Sequence, residues 1–126
     1  MDARSDRTAL TTIYFLLSAG DVSRWHRVAS DEAWHYYEGD ALELFTADAS
    51  CKRVTRHVLG PVDGEARPVR VVPANEWQAA RSMGAYTLVG CTVGPGFEFE
   101  DFQMLKDRSA DADVIRRRHP DLVRFV

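Results

Sequence analysis

The chain predicts an all-β domain, a β-sandwich or jelly-roll barrel, with one short C-terminal helix. Three observations carry this expectation. About eight or nine short runs rich in apolar, β-branched and aromatic residues recur at roughly ten-residue spacing. Clusters of Gly, Pro, Asn and Asp separate them, as tight turns require. Several runs alternate polar and apolar residues with period two, the mark of a strand with one buried face, and helical periodicity is convincing only near the end. At 126 residues the chain reads as one domain over 1–126, long enough to bury a core.

Residues 1–8 are polar and expected to fray. Residues 11–18, TTIYFLLS, read as a strand ending at the Ala19-Gly20 turn. Residues 23–27 are strand-compatible and lead into a loop at 29–31. From Glu32 the alternation is clearest. Glu32, Trp34, Tyr36 and Glu38 share one face of an extended segment, with Ala33, His35 and Tyr37 on the other. Gly39-Asp40 is a turn, and residues 41–47 and 52–59 alternate again on either side of a polar loop. Residues 60–64 form a Pro/Gly loop, residues 69–72 a short strand stopped by Pro73, and Trp77-Gln78 opens another. Residues 86–93 are an apolar strand containing Gly90. After Gly94-Pro95-Gly96, residues 97–105 read as a last strand in which Phe97 and Phe99 alternate with Glu98 and Glu100. Residues 110–118, ADADVIRRR, form the helix; its acidic start and Arg-rich end suit the helix dipole, and His119-Pro120 stops it.

Composition excludes several function classes. Apolar residues at 45% and charged residues at 28% belong to a globular chain, not a disordered one. A net charge of −3 with scattered arginines leaves no footprint for nucleic acid. The apolar run at 13–17 is too short for a signal peptide and far below the ~18–20 residues of a membrane span. Cys51 and Cys91 fit no zinc or CxxC spacing, so each reads as a small buried apolar residue in a reducing, cytoplasmic compartment. There is no Gly-rich phosphate loop, Ser-His-Asp order or nucleophile elbow.

The stretch 20–39, GDVSRWHRVASDEAWHYYEG, gathers His26, Glu32, His35 and four aromatic residues. Its spacing resembles the first motif of the cupin superfamily, G(X)5HXH(X)3-4E(X)6G. Gly20, His26, Glu32 and Gly39 fall in place, and Val28 stands at the second His. In the second motif, G(X)5PXG(X)2H(X)3N, Pro73 fits. Arg67, Asn75, Gln78 and Ser82 stand at its Gly, Gly, His and Asn positions. The blocks TIYFLL, SRWHR, SDEAWHYYEGDALEL, VVPANEWQAAR and GPGFEFEDFQML, in that order, are similar to the cupin-5 subfamily of small single-domain cupins, relatives in fold of sugar-nucleotide epimerases. The resemblance implies a jelly roll, a homodimer and a ligand-sized cavity inside the barrel.

Three readings of that cavity stay open. In the first, the chain is isomerase-like. His26 acts as general base, Tyr36 as acid, and Glu32, its pKa raised by desolvation, orients the imidazole. In the second, His26, Glu32 and Gln78 hold one divalent transition metal for an oxygenase or lyase, although an amide is a poor ligand and valine is none. In the third, the cavity only binds. Trp34, Trp77, Tyr86 and Phe97 then form aromatic walls with Gln78 beside them, against the alternative that aromatics at strand spacing are plain core. Each reading expects a small polar metabolite as ligand, with neither nucleic acid nor membrane as partner.

Overall fold

The computed structural model describes residues 7–126. In chain order the strands are β1 (Thr11–Ser18), β2 (Val22–Arg27), β3 (Asp31–Gly39), β4 (Leu42–Ala47) and β5 (Val54–Leu59). Then come β6 (Ala66–Arg67), β7 (Val69–Val72), β8 (Trp77–Ser82), β9 (Tyr86–Gly94) and β10 (Gln103–Met104). Helix α1 (Ser109–Arg118) follows, then a 3-10 turn over Pro120–Phe125. Two sheets result, ordered β1-β9-β3-β7 and β10-β2-β8-β4-β5-β6. Early and late strands interleave in both. Cys91 of β9 lies between Ile13 and Trp34, and Gln78 of β8 lies between His26 and Thr46. The expected jelly roll with a short C-terminal helix is what the chain forms.

Strand parity sets two cores. Between the sheets pack Leu17, Trp34, Leu42, Leu44, Leu59 and Val72. The six-stranded sheet is apolar on its other face too. Trp25, Phe45, Trp77 and Ala79 point away from the sandwich and are covered by Leu105, Ile115, Leu122 and Phe125. This is why all six residues of β4 are buried. In α1 the buried residues are Ala112 and Ile115, three apart and so on one side, while Arg116, Arg117 and Arg118 stay exposed. The helix and the turn after it therefore roof a second core rather than trail from the first.

The structure departs from expectation in three places. Residues 97–105 do not form a strand; they make 3-10 turns at Phe99–Asp101 and Leu105–Asp107 around the two-residue β10. Charge overrides alternation there. Arg7 hydrogen-bonds Asp101 and lies 3.4 Å from Glu98 and 3.7 Å from Glu100, gathering the acidic residues into a turn. Phe99 is left 87% exposed. Of the residues expected to fray, 1–6 lie outside those described, and Arg7 and Thr8 are tied down, the latter accepting the Gly96 N–H at 2.7 Å. The chain also packs on past Pro120, where Leu122 and Phe125 are buried. Both cysteines are free and buried. No helix among the described residues is long and apolar enough to cross a membrane.

Phe125→Ala should cost about 3–5 kcal/mol in urea unfolding, because it opens the outer core, whereas the same truncation at exposed Phe99 should cost under about 0.5 kcal/mol.

Candidate functional site

At the end of the sandwich nearest residues 95–104, the sheets leave a cavity of two adjoining lobes, about 300 and 270 Å³. His26, Glu32, Cys91 and Phe102 are common to both. Ile13 is shared too; Thr11, Thr12, Val28, Val93 and Phe97 line the first lobe alone, and Phe15, Ser23, Arg24, Trp34 and Met104 the second. Glu32 and Trp34 point inward because they stand two apart on β3. His26 points inward because of a bulge. Ser23 pairs with Ala80 and His26 with Gln78, so β2 spends one residue more than β8 between the pairs. That lets two residues of opposite parity face the cavity and sends Trp25 to the outer core.

A chain of hydrogen bonds crosses the sandwich. The Trp34 indole N–H donates to the Gln78 amide oxygen at 2.7 Å, and the Gln78 amide nitrogen donates to Glu32 at 2.9 Å. An indole can only donate, so the amide orientation is set: oxygen toward Trp34, N–H toward the carboxyl. Burial raises the Glu32 pKa above the usual carboxylate value, opposed by hydrogen bonds from Gln78 and the Cys91 thiol. Burial and the adjacent Glu32 also push the Cys91 thiol up. On the facing strand the His26 Nδ1 lies 2.7 Å from the Arg24 carbonyl oxygen. A carbonyl only accepts, so Nδ1 carries the proton and Nε2 of the neutral ring keeps its lone pair. Burial lowers the His26 pKa, and the ring stacks on Phe102 at 5.4 Å between centroids. One cavity thus holds a base kept neutral and a carboxyl biased toward its proton, the pattern of an acid–base pair.

The residues expected at the site separate into three groups. His26, Glu32, Trp34 and Phe97 line the cavity. Gln78, 1% exposed, lies behind Glu32 and positions it. Three aromatics lie elsewhere. The Tyr36 hydroxyl donates to the Gly39 carbonyl at 2.6 Å, toward the far end of β3, so it is not the acid paired with His26. The Tyr86 hydroxyl donates to Glu38 at 2.9 Å outside the cavity. Trp77 sits on the back of its sheet in the outer core, with the Arg27 guanidinium 4.4 Å from its ring centroid.

Two interactions are corrected as well. The Arg24 carbonyl, not Glu32, orients the imidazole. As for a metal, the Gln78 oxygen is turned to Trp34, so His26 and Glu32 are the only donors left of the expected three. Among the described residues no group of three or more His, Cys, Asp or Glu side chains could hold a metal ion. The donor set does not fit a tightly held transition metal. Cys91 and Phe102 belong to the site without having been expected there. Only the β3–β9 and β2–β10 pairings bring them in, and no spacing in the sequence announces those pairings.

Gln78→Met removes the donor that favours the charged carboxylate. The Glu32 pKa should rise further, as read by the carboxyl carbon shift in NMR, and stability should fall by about 1–3 kcal/mol because the Trp34 N–H loses its acceptor.

The comparisons agree with this fold. The chain matches the Cupin_5 family, described as cupin superfamily (DUF985), over residues 1–105. A crystal structure of a protein from Shewanella oneidensis superposes with a TM-score of 0.85 at 28% identity, covering 99% of this chain and 78% of that one. A hypothetical protein from Leishmania major gives 0.77 at 27% identity, covering 93% and 73%. A dTDP sugar isomerase from Desulfovibrio desulfuricans G20 gives 0.65 at 13% identity, covering 82% and 69%, a likeness of fold alone. No curated protein matches. Interleaved sheets, the His26 and Glu32 spacing and a family match over most of the chain lead to one assignment: the chain belongs to the Cupin_5 family of the cupin superfamily.

Proposed function

We propose that this chain is an enzyme of proton transfer, isomerase-like, acting on a small molecule held between its sheets. The His26 Nε2 takes a proton from the carbon beside a carbonyl. The C–H electron pair moves to form the enol, and the carbonyl oxygen takes the proton of the Glu32 carboxyl. The His26 imidazolium then gives a proton to carbon as the enol oxygen returns its proton to Glu32, which reforms the carbonyl and both groups. The observation that carries the reading is the Nδ1–H bond to the Arg24 carbonyl, which leaves Nε2 free as base inside the cavity. The dTDP sugar isomerase named above shares the fold, which is compatible with chemistry of this kind and goes no further. A metal-dependent oxygenase or lyase has less support, because Gln78 offers the site no oxygen.

The test is deuterium uptake from D2O into a panel of small carbonyl compounds, followed by proton NMR. The wild type should label the carbon beside the carbonyl, and His26→Gln or Glu32→Gln should slow labelling by about 10²-fold or more. Binding without labelling in the wild type would leave a non-catalytic ligand-binding module.

The pH dependence has a defined sign. Productive enzyme needs His26 deprotonated and Glu32 protonated, so the acidic limb of kcat/KM should lie below 6.5 and the basic limb above 4.5. A raised carboxyl pKa stabilises the fold at low pH and loses that contribution as pH rises through the folded value. Glu32→Gln should therefore melt higher than wild type at neutral pH while losing activity.

We further propose that the chain assembles as a homodimer. On the outer face of the four-stranded sheet Tyr14, Leu16, Tyr37, Val69 and Val71 are exposed together, an apolar area uncommon on a monomer. Sedimentation of the wild type should give twice the chain mass, and Tyr14→Glu with Leu16→Glu should give the monomer. A monomeric wild type discards the assembly.

A further inference from the structure

The charges around the cavity bear on what can enter it. Arg24, which lines the second lobe, donates from Nη1 to the Val126 carbonyl at 2.8 Å. Arg27, next along the strand, donates to the Gln103 side chain at 2.6 Å and rests over Trp77 on the other side of the sheet. Arg7, against the turn that carries Phe97 and Phe102, serves Asp101, Glu98 and Glu100 at once. Three carboxylates to one guanidinium leave that rim negative.

Backbone donors are committed as well. The Gly96 N–H goes to the Thr8 carbonyl, the Phe97 N–H to the Thr11 hydroxyl at 3.0 Å, and the Phe102 N–H to the Phe99 carbonyl. These three amides are therefore not available to a phosphate or carboxylate. Inside, burial disfavours charge on Glu32, and the same desolvation would penalise a charged ligand beside it. What the walls do offer is aromatic surface. Phe97 and Phe102 meet edge to face at 6.2 Å between centroids, and Phe102 stacks on the His26 ring.

We infer that this cavity takes an uncharged ligand with an apolar, ring-sized body and a single carbonyl, and that it rejects phosphates, nucleotides and carboxylates. The inference rests on the proton-transfer reading for the place of the carbonyl, between His26 and Glu32. It rests on the aromatic walls, the buried carboxyl and the acidic rim for the preference against charged ligands. It also replaces the polar metabolite expected from sequence with a largely apolar one.

Matched probes test it: acetophenone, benzoate and benzylamine share one ring and differ in charge, with inorganic phosphate, thymidine diphosphate and pyruvate as further ions. Binding to the full chain at pH 7.5 is read by NMR shifts of Phe97, Phe102 and the Met104 methyl. Acetophenone should bind at least ten-fold more tightly than any charged probe, and Phe102→Ala should weaken it. Benzoate, phosphate or a nucleotide binding as tightly as acetophenone overturns the inference. So does preference for benzylamine, and so does an absence of acetophenone binding at millimolar concentration. The two proposals fail separately. Acetophenone bound without deuterium entering its methyl group sinks proton transfer and keeps the ligand class; deuterium entering pyruvate but not acetophenone does the reverse.

Discussion

The Trp34–Gln78–Glu32 bridge is the interaction on which the interior depends. Trp34 and Glu32 belong to one sheet and Gln78 to the other, so the two hydrogen bonds pin the sheets together at one height in the sandwich. The bridge also brings a carboxyl into a largely apolar space. A buried polar network of this kind is favourable only when every member is satisfied, because each orphaned group carries its full desolvation cost. Here the indole, the amide and the carboxyl satisfy one another in sequence. The unshared valence of Glu32 is what remains for a ligand.

His26 is held by a different device. Its partner is the backbone oxygen two residues earlier, available because the β2 bulge takes Arg24 out of regular pairing with β8. A backbone acceptor fixes the tautomer without adding a charge, and burial is what lowers the pKa of the ring. Burial biases both sides toward the uncharged form, the carboxyl with its proton and the imidazole with only one, while the hydrogen bonds to Glu32 and from His26 oppose that bias and fix the geometry.

How much of this was legible in the sequence follows from which forces are local. Alternation placed Glu32 and Trp34 on one face, and turn residues marked most strand ends, because pleat and turn chemistry act over a few residues. The family spacing located His26 and Glu32. Parity could not say which face of β8 looks inward, since that strand carries large side chains on both; Trp77 went to the outer core and Gln78 to the inner one. Tyr36 lay on the right face but too far along β3, where Gly39 offered its hydroxyl an acceptor. Residues 97–105 alternated like a strand and folded as turns because Arg7, about ninety positions away, outweighed their local preference. Long-range charge and strand pairing, not propensity, decided those positions.

The two-sided burial of the six-stranded sheet has a consequence for how the molecule is made. Trp25 and Trp77 emerge from the ribosome long before Leu122 and Phe125, yet these last residues are part of the cover over them. A nascent chain that has already paired β2, β8 and β4 would present a bare tryptophan-bearing surface until residue 125 clears the exit tunnel. Contacts this distant in sequence close slowly. In that interval the half-roofed sheet is a natural client for chaperones and the stage most exposed to aggregation.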